Sequence, residues 1–287
     1  MTHHHSSISI HTSPATPHTP WGRIPIARPM AWARIALMAV GALLLLTSCV
    51  ALEEEVTTPP DTNVSFTSAD GTEIEGFLAV PEGEGPFPAV MMIHEWWGLN
   101  QDVVIMARAL SQEGYAVLAP DALRGELATS VPGAIALNSR TPDEQIHADM
   151  DAALEFLRNH EAVDASRVAT MGFCFGGRHS MRLGIRSSGL AAVVTLYGSS
   201  LVTDPAELGN MAENGPVLGV FGEEDGSIPL SEVEAFDQAL DEIGAEHTIT
   251  IYPEVGHAFV KSSTYRNDGA AGEAWDEVTA FLADALQ

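Results

Sequence analysis

One short segment fixes most of what this chain can become: Gly172-Phe173-Cys174-Phe175-Gly176-Gly177. Ahead of it runs Val168 to Phe173, an apolar stretch with the composition of a strand buried on both faces, and a helix is expected from about Gly177. A strand can give way to a helix over so few residues only across a tight, strained turn. The glycines around Cys174 meet that demand, because side chains there would collide with the strand and the helix. Such a turn lifts the Cys174 sulfur above the C-terminal edge of a sheet. It also aims a helix N-terminus at the sulfur, which favours the thiolate. The plainer alternative is a buried structural cysteine beside a glycine-rich turn, and the strand-turn-helix context weighs against it.

From Asn63 onward, strand and helix patterns alternate. Val64 to Thr67 and Ile74 to Val80 read as an antiparallel pair joined across Asp70-Gly71. Ala89 to His94, Tyr115 to Ala119, Ala191 to Tyr197, Val217 to Gly222 and Thr248 to Tyr252 read as further strands. Helices are expected over Asp102 to Gln112, from near Pro142 to about His160, over Leu230 to Ile243, and from about Ala271. This order predicts an α/β fold, a mostly parallel central sheet with helices on both faces. Arg124 to Thr141 lacks clear periodicity and is expected to be a long loop bordering the site. Residues 63 to 287 are of ordinary size for one such domain, and there is no room for a second.

A cysteine nucleophile needs a base, and the base needs an acid to orient it. His257, in Tyr252-Pro253-Glu254-Val255-Gly256-His257-Ala258-Phe259, falls after the last strand, and Asp225 follows the strand before it. Glu223 or Glu224 could take the acid's place. The chain order nucleophile, acid, histidine is that of the α/β-hydrolase fold. In that fold the loop after the early buried strand gives one oxyanion donor, and the residue after the nucleophile gives the other. Here these are the backbone N–H groups of Trp96 and Phe175. Glu95 sits at the mouth of the same cleft, where it would influence the protonation of Cys174; a solvated loop charge is the alternative. His94, His147, His160, His179 and His247 default to structural or surface roles.

Three motifs together resemble the dienelactone hydrolase family: I-H-E-x-x-G at Ile93 to Gly98, G-F-C-F-G-G at Gly172 to Gly177, and G-H-x-F at Gly256 to Phe259. The likeness runs from about Asn63 to the C-terminus. It implies a triad of Cys174, Asp225 and His257, with Glu95 holding the resting thiol and helping to deprotonate it, and neither metal nor organic cofactor. Members of this family open a cyclic dienelactone and grip its carboxylate with two arginines. Arg124 stands where one is expected, and Lys261 occupies the position of the other. A lysine keeps the charge but loses the bidentate fork, so the match to the lactonase site fails there. Trp97, beside Trp96, suggests a bulky apolar wall to the substrate site, with core packing as its alternative.

The N-terminus reads as an address. Ile35 to Leu46 is an apolar run preceded by Arg28 and Arg34, and Leu46-Thr47-Ser48-Cys49 resembles a bacterial lipobox. Residues 1 to 48 are expected to be leader and signal, with Met30 an alternative start. Cys49 is the expected lipidation site, and 49 to 62 a lipidated polar tether. The resulting location is extracytoplasmic, at a membrane through the lipid alone. An uncleaved span is the alternative, though the run is short for one. The net charge is −26, every acidic residue lies at or after Glu53, and Lys261 is the only lysine. Such a surface repels phosphate backbones, which disfavours nucleic-acid binding. The expected partner is a small ester or lactone, with an anionic one as an option. A general carboxylesterase or thioesterase and a catalytically silent binding protein are the rivals.

Overall fold

The computed structural model describes residues 8–10 and 59–287. The expected signal run, Cys49 and the expected tether as far as residue 58 lie outside the described residues. In chain order the elements are β1 (Ile8–Ile10), β2 (Val64–Thr67), β3 (Glu73–Ala79), β4 (Phe87–Ile93), α1 (Gln101–Gln112), β5 (Ala116–Pro120), α2 (Val131–Arg140) and α3 (Asp143–Asn159). They continue with β6 (Val163–Phe173), α4 (Phe175–Arg186), β7 (Ala192–Leu196), β8 (Val217–Gly222), α5 (Leu230–Ile243), β9 (His247–Tyr252) and α6 (Ala270–Ala285).

The strands form one sheet in the order β1-β9-β8-β7-β6-β4-β5-β3-β2. From β9 to β5 every pairing is parallel, and the β2–β3 hairpin joins antiparallel at β5. The hairpin turns at Asp70-Gly71 as expected, with the Gly71 N–H donating to Ser68 O. Every residue of β5, β7 and β8 is buried, which requires cover on both faces. β1 pairs parallel with β9 at the far edge, within the stretch set apart as leader.

Chain order reverses at β4, which lies between β5 on one side and β6 on the other. In open α/β sheets ligands bind at such a switch point, outside the carboxyl ends of the strands. The turns that follow β4, β6, β8 and β9 all emerge at that one edge, because these strands run in the same direction.

The stretch between β5 and α3 departs from the sequence-based expectation. The segment Arg124 to Thr141 is not a bare loop, since it contains α2. Ser130 caps that helix by accepting from the Gly133 N–H, and Pro132 lies in its first turn. Only Ala134 and Leu137 are buried along it. An apolar stripe that thin leaves almost no periodic signal to read.

Candidate active site

The elbow is built as its glycines suggest. Cys174 has φ 53° and ψ −112°, a left-handed φ that costs energy in a residue with a Cβ. The surroundings hold it there. The Cys174 N–H donates to Leu196 O at 3.0 Å, and its carbonyl accepts from the Arg178 N–H at 3.1 Å. A Cβ at Gly176 would lie 2.1 Å from the carbonyl oxygen of Ile93, and one at Gly172 would lie 2.2 Å from that of Gly176. Bare backbone is therefore what lets the first turn of α4 settle against the end of β4. As the first residue of α4, Phe175 has an N–H without an intrahelical acceptor.

Asp225 and His257 meet across neighbouring turns. Asp225 is buried, and its Oδ2 lies 2.6 Å from His257 Nδ1 while its Oδ1 accepts from the Ser227 N–H at 2.8 Å. The carboxylate thus accepts the hydrogen bond from Nδ1–H, which turns Nε2 into the acceptor of the ring. Glu223 and Glu224 are both exposed and reach this hydrogen bond with neither oxygen, so Asp225 is the residue that orients His257. Sequence reasoning passed over Tyr197, which has φ 39° and is fully buried. Its ring stands edge-on to His257 at 5.3 Å, and its hydroxyl donates to Val260 O at 2.8 Å. Its one sequence signal is its place at the end of a buried strand, before Gly198.

The third wall is the turn after β4. Glu95, Trp96 and Trp97 are half-buried there, and the two indoles meet edge to face at 5.3 Å. The Gly98 N–H donates back to Glu95 O, and a Cβ at Gly98 would lie 2.3 Å from Glu126 O. The Asn138 amide, on α2, donates to Trp96 O at 2.9 Å, and the Ala128 N–H donates to Trp97 O at 2.9 Å. The segment that reads as a loop in the sequence therefore does border the site. The Ser262 hydroxyl donates to Asp102, tying the turn beyond His257 to the first turn of α1. Lys261 lies in that turn, half-buried, with its own N–H donating to the Thr264 hydroxyl.

Arg124 is engaged within the fold. Its Nε and Nη2 grip both oxygens of Asp149 at 2.8 and 2.7 Å, and its Nη1 donates to Asp70 and to the Thr72 hydroxyl. Asp149 is fully buried on α3, so the guanidinium neutralises a charge that has no access to water. The fork that would suit a carboxylate is here spent on Asp149. Among the described residues, no group of three or more His, Cys, Asp or Glu side chains is placed to hold a metal ion.

The dienelactone hydrolase family model matches residues 74–286. The chain belongs to the dienelactone hydrolase family. Among its relatives, one from Escherichia coli K12 named "Putative carboxymethylenebutenolidase" is 32% identical over 239 residues, covering 77% of this chain and 86% of that one. A relative of the same name from Methylorubrum extorquens is 31% identical over 227 residues, covering 74% and 76%. A crystal structure described as a dienelactone hydrolase of the same provisional kind, from Klebsiella pneumoniae, superposes with a TM-score of 0.65 at 31% identity, covering 77% of this chain and 99% of that one. A dienelactone hydrolase-like promiscuous phosphotriesterase from metagenomic libraries shares the fold, with a TM-score of 0.68 at 22% identity. The chain is thus an α/β-hydrolase of a family that acts on esters and lactones.

Replacing Arg124 tests its structural role. Arg124→Gln leaves Asp149 as a buried, uncompensated charge and is expected to cost about 3–5 kcal/mol of stability. Denaturant melts check the cost, and paired esters with and without a carboxylate check the function. A stable variant that loses activity only toward the anionic ester would restore Arg124 as a substrate ligand.

Proposed function

We propose that this protein hydrolyses a carboxylic ester or lactone through a thioester on Cys174, with His257 as base and Asp225 as its orienting acid. The observation that carries the proposal is the strained elbow at Cys174 on the same sheet edge as the 2.6 Å Asp225–His257 pair. A left-handed φ at a residue with a side chain is costly, and here it lifts one thiol out of the strand. Glu95, on the adjoining turn, holds the resting thiol.

In the acylation step the thiol proton passes to His257 and the thiolate adds to the carbonyl carbon. The oxygen, now negative, is met by the N–H groups of Trp96 and Phe175. Collapse breaks the carbon–oxygen bond, and the imidazolium returns its proton to the departing alkoxide. His257 then takes a proton from water, whose oxygen attacks the thioester. The second collapse breaks the carbon–sulfur bond and leaves the carboxylic acid, and the imidazolium returns its proton to the expelled thiolate of Cys174. Asp225 balances the imidazolium charge at each stage.

The committed fork of Arg124 favours a general ester or thioester substrate over a carboxylate-bearing lactone. Cys174→Ala is expected to fold as wild type and to lose turnover of a short aryl ester by at least a thousandfold, on the order of what losing a nucleophile costs. Retained esterase activity in that variant would sink the assignment.

The leader's charge, apolar run and cysteine further support anchoring outside the cytoplasm through acylated Cys49. Full-length protein should partition into a detergent phase when expressed in a bacterium, and Cys49→Ala should not. Equal partitioning of the two would reject lipid anchoring at that residue.

A further inference from the structure

We infer that His94 is the positioning residue of the oxyanion site, setting the direction and strength of the Trp96 N–H and bracing Phe175 at the same time. The inference rests on the proposed thioester chemistry and adds to it a residue that sequence reasoning left in a default structural role.

His94 closes β4 and is fully buried. Both of its ring nitrogens are engaged. The Ala122 N–H donates to Nε2 at 3.0 Å, so Nε2 must carry a lone pair and the proton sits on Nδ1. Nδ1–H then donates to Glu95 O at 2.6 Å. That carbonyl belongs to the peptide unit whose other end is the Trp96 N–H. A peptide is planar, so fixing its C=O fixes the opposite direction of its N–H. The Gly98 N–H, 3.3 Å from the same oxygen, gives a second and weaker hold. A carbonyl that accepts a short hydrogen bond also polarises its own amide, which strengthens the Trp96 N–H as a donor.

The same ring reaches the second donor. It stacks on Phe175 with centroids 5.8 Å apart and planes 10° apart, and the His179 ring also packs on Phe175, with centroids 4.4 Å apart. One imidazole therefore touches the residues on both sides of the developing oxyanion. Its neutral form is the one the geometry needs, and burial pushes His94 below the ordinary histidine value, against the raising effect of nearby Asp121. Asp121 is itself held by the N–H groups of Leu123 and Gly125, so Ala122 is presented to His94 from a rigid turn.

Three full-chain variants separate this role from simple packing. His94→Asn keeps a donor at the reach of Nδ1, His94→Gln keeps an acceptor at the reach of Nε2, and His94→Leu keeps neither. For His94→Leu the expected result is a fall in kcat of roughly a hundredfold, the scale of losing one oxyanion donor, with KM changed by about threefold at most. His94→Asn should recover most of that loss and His94→Gln little of it. Two further readouts exclude a general disturbance. Alkylation of Cys174 by iodoacetamide develops no oxyanion and should keep its wild-type rate. A short aldehyde, whose carbonyl takes up the thiolate and places the charge on oxygen, should bind more weakly in step with kcat/KM. If His94→Leu does not fold, the ranking of Asn above Gln decides alone. Unchanged kcat in folded variants, Gln equal to or better than Asn, or alkylation slowed as much as turnover would each overturn the inference. Activity surviving in Cys174→Ala would instead overturn the chemistry on which it rests.

Discussion

The first turn of α4 lies on bare backbone at the end of β4, and the rest of the site depends on that contact. A Cβ at Gly176 would fall 2.1 Å from Ile93 O and 2.6 Å from His94 O, so the two elements can meet only where one of them has no side chain. The approach brings the strained Cys174 beside the turn carrying Glu95, Trp96 and Trp97. Parallel pairing then brings the turns after β8 and β9 out at the same edge, where Asp225 and His257 are. The left-handed φ of Cys174 is held by its N–H donating to Leu196 O on β7 and by the Arg178 N–H of the first turn of α4 donating to its carbonyl.

Charge is handled by pairing rather than by excess. The chain carries a net −26, yet its buried carboxylates have defined partners: Asp149 has Arg124, Asp225 has His257 and the Ser227 N–H, and Asp237 has His247 at 3.1 Å. Arg124 spans α3 and the β2–β3 hairpin, so it fastens the turn after β5 from outside. The same turn presents the Ala122 N–H to His94. The ion pairs of Arg124 and the hydrogen bond to His94 thereby converge on one turn.

The regular elements were legible because their signals are periodic and strong. β8 and α5 lie at the bounds that the residue pattern predicts, and the β2–β3 turn falls at Asp70-Gly71. The elbow was legible for a different reason: only glycine fits such close backbone, and the sequence records that need directly. Sequence favoured Asp225 but left Glu223 and Glu224 open, since closing that choice depends on which carboxylate is buried against His257. The ion pairs of Arg124 were not legible, because its type and position suggest an anion clamp while its two carboxylate partners lie 54 and 25 residues away in the chain. α2 has too narrow an apolar stripe to register. His94 and Tyr197 act through a peptide plane, a ring edge and a backbone carbonyl, none of which leaves a spacing to read.

The central claim is a covalent acyl group on Cys174. The most direct measurement is rapid acid quenching of the enzyme, wild type and His257→Asn, with an activated aryl ester, followed by peptide mapping by mass spectrometry. The account predicts that the peptide bearing Cys174 gains the mass of the acyl group, that the adduct is removed by hydroxylamine, and that it persists longer in the variant, which lacks the base that activates water. Turnover with no adduct on Cys174 in either protein, or with the acyl group on another residue, would contradict it.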